Sequence, residues 1–549
     1  MTRDARSSLD ASFSAFSCWF FVMLTRPDRL TRLRRTIGAP HNKCAAQYNC
    51  VRFEEQVLSI EPTAPTVTRG RTLALVVILL ATFIDLIGVT VLNVILPSIQ
   101  TDLDASPAQL QWMQAGYTLV LAVGIVSGAR LGDMLGHKRV FIAGMAGFAA
   151  SSALCALSVG PEMLVGGRVV QGLFAALVIP QVLSQIQIMY ASNERGGPMA
   201  AYSSLSGLAA TLGPVLGPLL LKSDLAGSGW RMAFWVNVPL GLFVVVASWK
   251  LLPESRATHA ARIDVPGVIL ASVGLVLVLY PLIDSAGKTP WPAWTYGSIL
   301  AGVAVLVGFV FYERRVGSRG GSPLVEMSLF RFRSVQGGLL LQLLFFVPAM
   351  GFFLVFMLFL QNGIGMSPMR AGLTMLPWSV AVPVFATLSA AVLLPRIGRM
   401  TAQIGLVVMA IGFAMVALAA GGATPATDWT DMFWGVLVGG AGMGMLVAPL
   451  MQLTLTDVPI EFAGSGSALY NTVTQLAASI GVAVIGTVFF TELKGVGQTS
   501  AELADGYGSA MATSLWLGVG LLAVAFASSF LLPRGPVAAP APDVEVVNA

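Results

Sequence analysis

Two ionisable side chains stand where an apolar chain ordinarily has none. Asp85 lies near the middle of TLALVVILLATFIDLIGVTVLNVIL (residues 72–96), and Arg168 lies inside LVGGRVVQGLFAALVIPQ (164–181). An ionised acid held in hydrocarbon costs roughly 2.5–3.5 kcal/mol on insertion scales, so a chain that keeps one there uses it to bind a cation or carry a proton. The plainer use is a neutral, hydrogen-bonded acid that holds helices together. Scarcity favours chemistry: no other Asp or Glu lies deep in an apolar segment, and Arg168 is the one deep base. For Arg168 the plainer reading is a side chain that snorkels from a helix end to the membrane interface.

Both groups need membrane-spanning helices to hold them. About 20 apolar residues rising ~1.5 Å each cross a ~30 Å hydrocarbon core, and 72–96 has that length. The chain of 549 residues is 56% hydrophobic and 11% charged, with mean hydropathy +0.78. That is an all-α polytopic membrane protein and not a soluble one, in which charged residues make up about a quarter. The net charge of +5 points to no nucleic-acid partner, because residues 1–71 hold 11 Arg and Lys against 6 Asp and Glu, leaving 21 against 21 elsewhere. Fourteen spans are expected: 72–96, 112–131, 139–158, 163–190, 200–221, 232–252, 265–283, 295–312, 335–360, 372–394, 402–421, 432–454, 466–490 and 511–532. Connections on the side of the N-terminal tail carry fourteen Arg and Lys against five on the other side, which places both termini in the cytoplasm. Cys18, Cys44 and Cys50 lie in the tail and Cys155 alone in an apolar run, so no disulfide framework or zinc site is expected. Metal or His-based chemistry within the membrane is disfavoured, since His41, His137 and His259 all fall in the tail or in loops.

The second connection, ARLGDMLGHKR (129–139), is by itself a tight turn with the charges that the positive-inside rule favours. It also resembles the signature of the major facilitator superfamily between helices two and three. Asp133, Gly136, Lys138 and Arg139 match, while Ala129 stands where the family's first Gly is usual. The resemblance implies that Asp133 and the basic residues form a charge network at a cytoplasmic gate. Arg168, Gln171 and Gly172 match the family's helix-four motif, whose Arg lines the central cavity and takes part in proton coupling. In the fifth span GLAATLGPVLGP (207–218) resembles the antiporter motif of exporters: Gly207, Gly213, Pro214 and Gly217 fit, and Pro218 replaces the usual second Gly. Small residues there also suit close helix packing, and the prolines suit a bend.

GWRMAFWVNVPLG (229–241) is similar to the fourteen-helix drug:proton antiporter branch, known as EmrB/QacA-type. The resemblance implies two six-helix halves with two inserted central helices, and LLPRIGRM (393–400) is the faded second-half copy of the gate signature. The expected units are a basic, disordered cytoplasmic tail (1–71), a first half (72–252), a linker with two extra spans (253–320), a second half (321–532) and a C-terminal tail (533–549). For the first tail two other readings stand beside disorder, an amphipathic helix on the membrane surface and a reading frame opened upstream of the natural start.

The implied activity is export of drugs or other lipophilic small molecules in exchange for protons, with Asp85 and Arg168 coupling the proton. The branch commonly carries an acid five residues before the helix-one Asn, Asn93 here; that position is Gly88, and Asp85 lies one turn earlier on roughly the same face. Candidates for the substrate cavity are Asn93, Gln114, Tyr117, Gln171, Asn471 and Gln475, the last two also open to a packing role. No enzymatic activity, cofactor or nucleic-acid partner is expected, the proton gradient supplying the energy; the partners are the small molecule, protons and the lipid bilayer. AGKT (286–289) lacks the preceding Gly of a nucleotide loop, having Leu282 in its place. Import of a specific metabolite on the same fold is the alternative, and a receptor or channel ranks behind it.

Overall fold

The computed structural model describes residues 68–532 apart from 192–193, 224–227, 257–262, 287, 289 and 460–461. The tail expected over 1–71 therefore lies outside the described residues up to residue 67, as does the C-terminal tail over 533–549. In hydrocarbon every backbone N–H and C=O must be paired within the protein, which apolar runs of this length achieve as helices. No strand occurs among the described residues. Fourteen long helices follow one another among the described residues, and thirteen of them are long and apolar enough to cross a membrane, the fifth showing only a shorter apolar stretch over Leu212–Lys222. They are α1 (Thr68–Leu103), α2 (Pro107–Leu135), α3 (His137–Ala156), α4 (Pro161–Met189), α5 (Gly196–Ser223), α6 (Gly229–Leu251), α7 (Val265–Asp284) and α8 (Ala293–Ser318). The second set comprises α9 (Arg333–Gly363), α10 (Pro368–Ile397), α11 (Met400–Gly421), α12 (Trp429–Leu455), α13 (Ala463–Glu492) and α14 (Ser500–Ser528).

Two expected boundaries move furthest. The helix α1 runs on through Pro97 to Leu103, with Thr101 Oγ1 donating to the Pro97 carbonyl at 3.0 Å. The helix α14 begins eleven residues before the expected 511, where Thr499 and Glu502 form a capping box: the Thr499 hydroxyl accepts from Glu502 N at 3.3 Å, and Glu502 Oε2 accepts from Thr499 N at 3.0 Å. The first turns, SAELADGYG, are too polar for a hydropathy reading to include.

The two halves repeat one set of helix pairings. In the first, α1 packs on α5 and α6, α2 on α4, and α3 on α4 and α6; in the second, α9 packs on α13 and α14, α10 on α12, and α11 on α12 and α14. That is the architecture of two related six-helix halves. The inserted helices α7 and α8 pair with each other, and α7 leans on α2 of one half and α13 of the other. We call the face where α1 begins proximal and the opposite face distal. On the distal side the halves are joined by Gln361 Nε2 donating to the Val94 carbonyl and Asn362 Nδ2 to Gln100 Oε1, both at 2.9 Å, and by Gly372 packing on the backbone of Pro214.

Candidate functional site

The site is built where α1, α2, α3 and α4 meet. Asp85 on α1 is 7% exposed and Arg168 on α4 is 2% exposed, so neither reaches solvent or an interface. Tyr117 of α2 stands between them. Its hydroxyl donates to Asp85 Oδ1, and its ring face lies under the Arg168 guanidinium, 4.1 Å from ring centre to Cζ. An aromatic face attracts a cation most where water is excluded. The guanidinium is held further by Nε–H donating to the Met113 carbonyl at 3.1 Å and by a bond to Gln171 Oε1, while Gln171 Nε2 donates to Ser152 Oγ on α3 at 2.7 Å. Arg168 is thus committed to partners inside the bundle, and the snorkelling geometry is absent. The short helix-to-helix distance that brings Tyr117 to Arg168 depends on Gly172, whose missing side chain lets α4 approach the Tyr117 backbone.

Ala81, Met145, Phe148, Ala175 and Val178 close around Asp85 and leave a gap with no room for a water molecule. A drug-sized ligand takes a pocket of roughly 300–1,000 Å³. This gap is therefore not a cargo site. Gly88, the position of the branch's usual acid, has room for a side chain, its nearest neighbour being Asn237 Nδ2 at 4.0 Å from a built Cβ.

Polar side chains also mark the junction of the halves. Gln111, Gln114 and Thr118 recur at helical spacing on α2, and Thr118 Oγ1 meets Ser479 Oγ of α13 at 2.7 Å. Gln111 is fully buried with both amide atoms unpartnered, Gln114 Oε1 and Asn93 Oδ1 are likewise unpartnered, and Asn93 Nδ2 spends its donor on the Val89 carbonyl at 3.3 Å. Buried amides without partners are rare in folded proteins. Asn471 and Gln475 sit half-buried on α13; Asn471 Nδ2 donates to the Ser467 carbonyl of its own helix at 2.9 Å. The sequence reading missed Gln111, although its spacing of three from Gln114 was available as a clue. It also missed Gln342, which accepts from Tyr470 Oη at 2.7 Å and donates to Thr474 Oγ1 at 2.8 Å; nothing local marks that triad.

In the segment that resembles the gate signature, Asp133 and Arg139 each pair with another residue and not with each other. Asp133 faces His137 Nε2 at 3.4 Å, and Arg139 Nε pairs with Glu254 at 3.3 Å beyond the end of α6; Lys138 is half-buried. His137, expected in a loop, is 8% exposed at the start of α3 and contacts Gln181 Oε1 at 2.8 Å through Nδ1. Gly136 turns the chain at φ +105°, a conformation only glycine holds without strain. The close packing that Ala129 cannot supply comes from Gly128 and Gly132, both against α4. On α5, Gly213 and Gly217 seat against Thr90 and Val94 of α1, with Pro214 turned to α10; Gly207 lies earlier on the same helix. Nearby on the proximal face Arg71 pairs with Glu194 at 2.5 Å, which holds the Glu194 carboxyl below its ordinary range.

Residues 78–482 match the Major Facilitator Superfamily. Among curated proteins the chain is similar to a probable actinorhodin transporter of Streptomyces coelicolor, 43% identical over 79% of this chain and 74% of that one. A tetracenomycin C resistance and export protein of Streptomyces glaucescens is 31% identical over 73% of this chain and 72% of its own length, and a multidrug efflux pump of Mycolicibacterium smegmatis is 31% identical over 77% and 82%. Among solved structures a bacterial homologue of the human lysosomal transporter Spinster, in an inward-facing and occupied conformation, superposes with TM-score 0.61 at 15% identity, covering 85% of this chain and 97% of that one.

Proposed function

The chain belongs to the major facilitator superfamily, and from that membership we propose that it exports antibiotics or other lipophilic small molecules across the cytoplasmic membrane in exchange for protons. The observation that carries the reading is the buried Asp85–Tyr117–Arg168 cluster. It holds the one acid deep in the spans within reach of a fixed cation, and a side chain that can accept and release a proton is what exchange against protons requires. Relatives whose names describe export and efflux favour the outward direction for cargo.

The proton site is Asp85, with Arg168 opposing its charge through Tyr117. Cargo enters between the halves and bonds to the unpartnered amides of Asn93, Gln111 and Gln114, with Asn471 and Gln475 on the facing wall. The positive-inside bias assigns the proximal face to the cytoplasm. Contacts joining the halves at the distal side then describe a state closed to the exterior, and Asp133, Gly136, Lys138 and Arg139 belong to the cytoplasmic gate. Closure at the distal side is completed where α5 stacks on α1 and α10.

Direction and energy source are tested together. Cells making the protein should accumulate several-fold less of a lipophilic drug than cells without it, and a protonophore should abolish the difference. Extrusion that survives collapse of the proton gradient and stops on ATP depletion would contradict the reading.

A further inference from the structure

Away from the central cluster, a pair of acids is buried on the proximal face, and no step of the exchange above uses it. Asp264 caps the start of α7 and is 7% exposed; Glu313, one turn before the end of α8, is 0% exposed. The helix α8 is otherwise peripheral, with 11% of its most apolar stretch buried against 72% for α9, so a fully enclosed acid there has a local cause.

Each carboxyl has one oxygen engaged and one idle. Asp264 Oδ1 accepts from Gly267 N at 2.9 Å and from Tyr312 Oη at 2.8 Å, and Glu313 Oε2 accepts from Val325 N at 2.9 Å. Asp264 Oδ2 and Glu313 Oε1 are buried without a partner. Both idle oxygens border the same small space: a Cβ built on Gly267 would come 2.7 Å from Asp264 Oδ2 and 2.5 Å from Glu313 Oε1. Those two distances put the idle oxygens no more than 5.2 Å apart; two buried carboxylates that near cannot both ionise without strong repulsion, and two buried acceptors without a donor are a double deficit. One proton placed between the idle oxygens removes both difficulties.

We propose that Asp264 and Glu313 share a single proton and form a proton-sensitive clasp, which ties the inserted helices and the linker into α9 to helix α2. The tie to α2 is made by Arg130, whose guanidinium donates to the carbonyls of Ser322, at 3.0 Å, and Pro323, two residues before the amide that Glu313 holds. The other groups facing the pair are Tyr312 on α8 and Arg130 on α2; Arg130 also feels the charges of Asp133 on α2 and Glu326 on the linker, and Arg314 and Arg315 are exposed. With the proton in place, Glu313 fixes the linker beside the Arg130 anchor. Loss of the proton leaves two facing anions, drives the carboxyls apart and frees Val325 N. The clasp adjoins the gate segment that carries Asp133, so proton occupancy on this face biases whether the proximal ends of the halves separate. The inference holds whichever way cargo moves.

The test reads the proton itself. In purified protein with Asp85→Asn as background, infrared spectroscopy at neutral pH should show one protonated-carboxyl band, and both Glu313→Gln and Asp264→Asn, each leaving an amide that donates to the remaining carboxylate, should remove it. Absence of the band in the background protein, or its persistence in either variant, would overturn the shared proton. The clasp is read by hydrogen exchange of the segment around Val325: Glu313→Gln should exchange as the background does, and Glu313→Ala at least ten-fold faster. Equal exchange in Glu313→Ala, with both variants monodisperse, would show that the pair holds nothing in place.

Discussion

Tyr117 touches both ionisable groups of the central site, so its two ends can be separated by substitution. Tyr117→Phe keeps the ring under Arg168 and deletes only the hydroxyl that bonds Asp85. A hydrogen bond to a charged group contributes about 1.5–3 kcal/mol, and about 1.4 kcal/mol is a ten-fold change in an equilibrium. Efflux by Tyr117→Phe should therefore fall ten-fold or more while membrane content stays unchanged. Arg168→Lys should be as poor, because a compact ammonium cannot stack on the ring while also bonding Met113 and Gln171. Normal drug accumulation assays for both variants would mean that the cluster is structural. Asp85 and Arg168 were singled out in the sequence by their scarcity and, for Arg168, by the family's helix-four motif. The bridge was not legible, since Tyr117 reads as one aromatic among many until α2 and α4 are placed against each other.

At the scale of elements, α5 shows how a small-residue motif becomes an interface. Thr90 faces Gly213, and its hydroxyl is tied to the Leu86 and Ile87 carbonyls at 3.1 Å each, so the side chain cannot swing aside without losing those bonds. Gly217 has more room, with Val94 Cβ 3.3 Å from a built Cβ. Overpacking a tight contact costs typically about 1–3 kcal/mol. Gly213→Ala should lower thermal stability in detergent by an amount in that range and reduce efflux, Gly217→Ala should do less, and Thr90→Ala should recover part of the Gly213→Ala loss. Independent, additive effects of Gly213→Ala and Thr90→Ala in unfolding scans would contradict the contact. Hydropathy made nearly all the helices legible because it is a property of consecutive residues. It missed the polar start of α14, whose Thr499–Glu502 box is a local signal that an apolarity reading passes over. It also missed the pairing of Asp264 with Glu313, which only the association of α7 and α8 reveals.

For the molecule as a whole, the repeated pairings explain how one site can face two sides. Each half packs its own helices in the same pattern, while among the described residues few side-chain bonds join the helices of the two halves, Gln361 and Asn362 reaching α1 on the distal side and Ser479 meeting Thr118 near mid-helix. Halves of this kind can rock as bodies around a fixed midpoint. Asp85 lies within the first half and not at the junction, so in the proposed exchange a proton on it would act on the junction through Tyr117, whose helix α2 also carries Gln111, Gln114 and Thr118 to the facing half. The most direct measurement of that coupling is drug-induced proton movement in vesicles containing the purified protein, compared between wild type and Asp85→Asn, a change that keeps size and hydrogen bonding and removes titration. Wild-type vesicles should show proton movement that depends on added drug, and Asp85→Asn vesicles, with normal protein content, should show none; a wild-type signal from Asp85→Asn would place the proton elsewhere and contradict the account.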